Sequence, residues 1–221
     1  MNQDFLLRIK DTSLCLFVAR KYELLLGRLE IQKIIYLIDS ISAYLFVLSS
    51  SQGYRTYYYG PYDRYVQNAL DALVIRDFVE MHDVNVSRNT VACNYSLTDV
   101  GANWTNSLIQ ESDSIQYRLN IVDSVFYSLT HRKVVRRVKD LVYAEPVYVI
   151  TKDNGHHSAL RFDVTNSGHH YLALIEHFLK GDSKQPNIHF VVDMYIDYLF
   201  SRVQILSGQS FAGGDKNDDE N

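Results

Sequence analysis

The chain has 221 residues, 47% of them hydrophobic and 13% aromatic, enough to fill the core of one sizeable domain or of two small ones sharing a core. Its formal charge of -4 and isoelectric point near 6.0 exclude a surface that is basic throughout, and with it wholesale polyanion binding, although a local basic patch stays compatible with both. The two cysteines, Cys15 and Cys93, sit among apolar residues and form neither a spaced framework nor a metal-type pair, which points to buried thiols in a reducing compartment.

The first residues, MNQDFLLRIKD, carry Asp4, Arg8 and Lys10 and no small-residue cleavage site, so no secretory signal is read there. Apolar residues recur at helical spacing over residues 4–20, and Gly27 separates this helix from a second over about 29–48. The second is apolar over more than half its circumference, as a helix buried on several sides must be. Its most apolar part, residues 34–48, contains Asp39, two serines and two tyrosines and is shorter than the roughly 20 residues of a membrane span. A central core helix in a cytoplasmic protein is the expectation.

Aromatic residues with Thr56 favour a short strand over 54–59, ended by Gly60-Pro61 because proline donates nothing to a ladder and glycine permits unusual dihedrals. Asp63 then caps a helix with Val66, Ala69, Leu70, Leu73 and Val74 on one face. Strands are predicted over 78–84 and 90–98 around the polar segment Asn85-Val86-Ser87-Arg88-Asn89, the second with Val91, Cys93, Tyr95 and Leu97 facing inward. Thr98 or Asp99 caps the next helix, past Trp104 and Leu108. Helices are expected over about 115–129 and 132–143, a strand over 147–151, a turn at Asp153-Asn154-Gly155, a short strand over 161–164, and helices over 170–180 and 188–206. The small, polar, acidic stretch from Ser207 reads as a disordered tail.

The segment Glu30-Ile31-Gln32-Lys33-Ile34-Ile35-Tyr36-Leu37 resembles the K-L-Q-K-L-L-Y-L signature of the Panacea (SocA-like) domain family, and Tyr59-Gly60-Pro61-Tyr62 resembles the Y-G-P turn that follows it there. The resemblance covers roughly residues 29–101. It implies a non-enzymatic partner protein: an antitoxin or adaptor that binds a toxin, protease or effector, often in an antiphage defence locus. The expected partner-binding surface is Lys33 in the motif helix with Tyr57, Tyr59, Gly60, Pro61, Tyr62 and Arg64 at the corner. Tyrosine suits such a surface because it supplies large contact area at low entropic cost with a polar tip. The alternative is that individual rings line the domain's own crevice.

A DNA-binding regulator is the second reading, with Arg64, Gln67 and Asn68 on the exposed face of the helix after Gly60-Pro61, opposed by Asp63 and Asp71. Arg132, Lys133, Arg136, Arg137 and Lys139 fall on one arc of the expected 132–143 helix, either as a solvated face or as a polyanion-binding stripe. His156-His157 and His169-His170 read as polar loop histidines, since no recognised zinc spacing results and no metal site is assigned. No GxSxG, HExxH, P-loop or dinucleotide turn occurs, so no catalytic residue and no cofactor is assigned, although triads assemble from distant residues and need no motif. The apolar helix over 188–206 belongs to the core or to a homo-oligomer interface. The expected architecture is α+β and mainly helical: a winged-helix-like core over 1–112, a helical C-terminal extension over 113–208 packed on it, and a tail over 209–221.

Overall fold

The computed structural model describes residues 3–45, 53–88, 91–155, 157–162, 167–180 and 187–208. The fold is α+β and mainly helical, with one small antiparallel sheet. In chain order the elements are α1 (Gln3–Lys21), β1 (Leu26–Gly27), α2 (Arg28–Tyr44), α3 (Arg64–Ile75), β2 (Val79–Val86), β3 (Val91–Leu97), α4 (Asp99–Gln110) and α5 (Asp113–His131). A 3-10 turn at Val135–Arg137 leads into α6 (Val138–Ala144), α7 (Pro146–Lys152), α8 (Ser167–Lys180) and α9 (Ile188–Ser207).

Helix α2 is the axis of the molecule, buried continuously from Ile31 to Ser42. Around it a single apolar core runs from Leu14 on α1 through Val66 and Leu70 on α3 to Val125 on α5 and Ile196 on α9. Helix α9 is therefore a core helix on the face of Val191, Val192, Tyr195, Ile196 and Leu199, while Phe190, Ile205 and Leu206 are exposed.

The sheet order is β1-β3-β2, with Leu26 opposite Tyr95 and Val79 opposite Leu97. Its register shifts between His82 and Asn85, where Asp83 adopts a positive φ and its carboxylate accepts from Asn94. Such a bulge bends the exposed edge strand β2. The inward alternation on β3 holds for Tyr95 and Leu97, weakens at half-buried Cys93 and is lost at Val91, because the outer half of the ribbon extends beyond the core. Asn85 and Val86, expected in the loop, belong to β2.

Several expectations need correction. Residues 54–59 are not a strand: Arg55 makes single antiparallel bridges to Tyr62 and to Ala159, and 57–60 form a turn. The helix expected over 132–143 is broken, since Arg132 ends α5, Lys133 takes a positive φ, and helix resumes only at Val138. Residues 147–151 are helical: Pro146 stops α6 but then serves as the first residue of α7, where a missing N–H costs nothing. Arg161 and Phe162 are not in a strand, and residues 163–164 and the tail over 209–221 lie outside the described residues.

Two buried polar clusters tie the helices to α2. Arg8 on α1 bonds Asp39 on α2 at 2.6 Å, Asp63 at 2.7 Å and Asp11 at 2.9 Å, and Arg118 on α5 completes the set by pairing with Asp11 and Asp39. Burial would push the Asp39 carboxyl up, but Arg8 and Arg118 hold it below the usual carboxylate range. In the second cluster the buried carboxylate of Glu145 accepts from Tyr36, Ser40, Tyr44 and Tyr195, and from the backbone N–H of Tyr148 at the start of α7. Burial and the neighbouring Glu145 charge push the Tyr36 and Tyr195 phenols well above their usual value, so both remain donors.

Removing one member of a buried ion network strands its partners in a medium that solvates them poorly. Arg8→Met is expected to cost about 3–5 kcal/mol, read as a drop in urea midpoint at unchanged m-value. A loss below about 1 kcal/mol would mean that the three carboxylates find other partners.

Candidate functional site

The corner at residues 53–65 is built by hydrogen bonds from three directions. Arg55 and Tyr62 exchange both backbone bonds at 3.0 Å, closed by the turn in which the Gly60 N–H donates to the Tyr57 carbonyl. On the other side Thr56 N–H donates to Ser158 O, His157 N–H to Thr56 O and Leu160 N–H to Tyr54 O, so residues 54–56 are paired on both edges.

Helix α2 clamps this corner from beneath. The Gln32 amide donates to the Asp63 carbonyl at 2.8 Å and accepts from the Asp63 N–H at 3.2 Å, and Lys33 Nζ donates to the Pro61 carbonyl at 2.8 Å. Tyr36 lies edge-on to Tyr54, whose face covers the Arg8 guanidinium at 4.9 Å. Asp63 joins all of this: one carboxylate oxygen caps α3 through Tyr65 N–H, and the other accepts from Arg8. The consecutive residues Gln32 and Lys33 are thus the contacts that hold the Gly-Pro-Tyr-Asp segment against α2.

Above the clamp opens a cleft of about 710 Å³, lined by Asp4, Gly53, Arg55, Tyr57, Tyr62, Arg64, Tyr65 and His157. The Tyr57 ring is its centre, 5.6 Å from Tyr62, 5.4 Å from His157 and 5.3 Å from Tyr58 between centroids. Arg55 donates to the His157 carbonyl, and Arg64 packs over Tyr65 while donating to its hydroxyl. Burial pushes the Tyr62 phenol up, so it stays a donor at neutral pH.

Of the residues expected to contact a partner, Tyr57, Tyr62 and Arg64 line the cleft, and Tyr59 is 72% exposed but outside its lining. Lys33 is corrected: it is buried, and acts on the surface only by holding the Pro61 carbonyl. Gly60 and Pro61 shape the corner. Gly60 has φ +87, and a Cβ there would stand 2.4 Å from the Tyr143 ring, so no other residue fits. Tyr65 belongs to the same run of tyrosines, whereas Asp4, Gly53, Arg55 and His157 are additions that no motif announces; the pairing of residues 54–56 with 157–160 that brings Arg55 and His157 together leaves no local trace.

The expected basic stripe is not one helical arc, although Lys133, Arg136, Arg137 and Lys139 are exposed. Arg132 is paired with Asp193 and Asp197, Arg136 with Glu30 at 3.2 Å and Arg137 with Asp140 at 3.0 Å. With the helix broken at Lys133, no single α-helix carries the five cations from Arg132 to Lys139.

A Ser-His-Glu grouping on the sheet does not have the geometry of a nucleophilic triad. His82 Nε2 lies 2.9 Å from Ser96 Oγ, but Glu80 accepts from that same hydroxyl at 3.0 Å and faces the same imidazole nitrogen at 3.5 Å. A triad carboxylate has to orient the ring through its other nitrogen. Searches against protein-family models and against curated proteins return no match to this chain.

Burial lowers the Lys33 ammonium to about 7, and its acceptor is a neutral carbonyl. As pH rises from 7 to 9 the excess of protons bound by the unfolded chain at this position grows from about one half towards one, and stability rises with pH by up to about 1.4 kcal/mol per unit. Lys33→Met should flatten that rise, as measured by urea melts at several pH values; an unchanged slope would place the amine in water. Gly60→Ala should cost more than Gly155→Ala. Both glycines have positive φ, but the added methyl at 155 meets nothing within 4 Å, so only its backbone term of about 1 kcal/mol remains. Equal melting temperatures for the two variants would contradict the close approach of Tyr143 to Gly60.

Proposed function

We propose that the chain is a non-enzymatic protein-interaction module, an antitoxin or adaptor that binds and controls a toxin or effector, and that the corner at residues 53–65 is the face it uses. The observation that carries this reading is a cluster of solvent-facing tyrosines on a rigidly clamped corner. Tyr57 and Tyr62 are 40% and 37% exposed, and Tyr58 and Tyr59 are 69% and 72% exposed, although the same segment is anchored to α2 by three buried hydrogen bonds. Rings held in place before binding lose little entropy on contact, and aromatic residues are the usual energetic centres of interfaces.

The resemblance of residues 29–101 to the Panacea-type domain supports the same reading. So do its two motifs lying against each other, Gln32 and Lys33 from one bonding Pro61 and Asp63 at the other. A winged-helix-like description of residues 1–112 and a cytoplasmic location belong to this proposal. Among the described residues no helix is long and apolar enough to cross a membrane. Reading of duplex DNA by α3 has less support. Gln67 and Arg28 both donate to Asp71, which leaves a recognition face on which a carboxylate is central.

The test is affinity purification of the tagged chain from its host with nuclease, then titration of the purified partner against purified variants. Tyr57→Ala with Tyr62→Ala should weaken binding about 30-fold or more, the loss of one interface hot spot of about 2 kcal/mol. Arg132→Ala should leave it within threefold. A tyrosine double variant that melts like the parent and binds like it would remove the corner from the interface.

A further inference from the structure

The cleft has a charge as well as a shape. Several arginines of the scaffold are neutralised internally: Arg8 by Asp11, Asp39 and Asp63, Arg28 by Asp71, Arg118 by Asp11 and Asp39, Arg132 by Asp193 and Asp197. Arg55 and Arg64 differ. Among the described residues neither has a carboxylate partner, both are exposed, and both line the same cavity beside Tyr57, Tyr62 and His157. Asp4 is the one carboxylate in that lining. In a chain whose formal charge is -4, two exposed arginines beside a cluster of aromatic rings, one of them packed over Tyr65, form a local positive site with apolar walls.

The backbone of the corner is spoken for. Arg55 is bonded to Tyr62 and Thr56 to Ser158 and His157, so no strand can be added along this edge, and recognition has to run through side chains. A long polyanion is a poor match as well: two unpaired arginines do not follow a phosphate backbone, and the other cations named above are already neutralised. A peptide carrying carboxylates around one large apolar or aromatic side chain matches both features. Guanidinium forks take carboxylates in pairs of parallel bonds, and the Tyr57–Tyr62 rings offer a face for the remaining side chain.

We propose that the cleft binds a short acidic peptide segment, with its carboxylates on Arg55 and Arg64 and a neighbouring large side chain against Tyr57 and Tyr62. This rests on the reading of the corner as a partner-docking face and adds the chemistry of what docks.

The experiment displays a library of random nonapeptides to the full-length chain, to Arg64→Glu, to Arg55→Glu with Arg64→Glu, and to Tyr57→Ala with Tyr62→Ala. Each variant is first checked for the parent's melting temperature and circular dichroism; the single Arg64→Glu change keeps the test intact if the double charge reversal fails to fold. The expected result is enrichment of Asp and Glu beside an aromatic or large aliphatic residue. Affinity of the selected peptides should weaken at least tenfold on Arg64→Glu and fall as salt rises from 50 to 300 mM on the order expected for exposed charge pairs. Selected peptides without acidic residues, or indifferent to charge reversal, overturn the acidic class. If such peptides still need Tyr57 and Tyr62, the docking face stands and only its chemistry was misassigned. Peptides that bind the tyrosine double variant undiminished overturn the face itself. Recovery of no peptide, or tighter binding of a single-stranded oligonucleotide than of any peptide, also overturns the proposal.

Discussion

Asp63 is the point at which the fold and its exposed surface meet. One oxygen of its carboxylate caps α3, the other accepts from Arg8, and its backbone groups are both taken by Gln32. The residue is fully buried, so its charge is tolerable only while Arg8 is in place, and Arg8 is tolerable in the core only because Asp39 and Asp11 share it. Helix α1, the central helix α2, the corner and, through Arg118, helix α5 are thereby locked to one geometry. Hydrophobic packing would permit small slides among these helices; a network of charged forks with fixed directions does not.

That rigidity is what gives the corner its value as a surface. A turn with three consecutive tyrosines would by composition collapse onto the nearest apolar surface. Here the backbone bonds of Arg55 and Thr56, the Gln32 amide and the Lys33 ammonium hold it open, and Tyr57, Tyr58 and Tyr59 face solvent. Lys33 reaches Pro61 from below in a site that disfavours its charge, a local strain compensated by the carbonyl it satisfies. Gly60 is needed at the same spot because the Tyr143 ring from α6 closes against it.

Glu145 shows the same logic on the other side of α2. It ends one helix and begins the next, as a residue before proline often does, and its buried carboxylate gathers four hydroxyls from α2 and α9. The C-terminal half is therefore bonded to the same axis as the N-terminal half, and one continuous core serves both.

Much of the scaffold was written in local pattern. Alternation and helical spacing located α1 to α5, α8 and α9, because each has to turn an apolar face to a shared core. Asp63 and Thr98 announced their helices as caps because a short acceptor at that position satisfies free amides whatever surrounds it. Local pattern failed where a long-range contact decided the outcome. Residues 54–56 have strand-like composition but find only single bridges, and residues 132–143 have helical spacing but must turn at Lys133 so that Val134 and Val135 pack inward. Tyr57, Tyr62 and Arg64 were legible as a surface from the tyrosine run and the Gly-Pro turn. Arg55 and His157 were not, since a hundred residues separate them and only the folded chain brings them together. The sequence by itself determined the helices α1 to α5, α8 and α9, the apolar faces they turn to the core and that an aromatic corner follows the motif helix. Only the tertiary structure decided that Lys33 lies beneath that corner rather than on it, and which arginines remain available, because ion pairing depends on where distant carboxylates arrive.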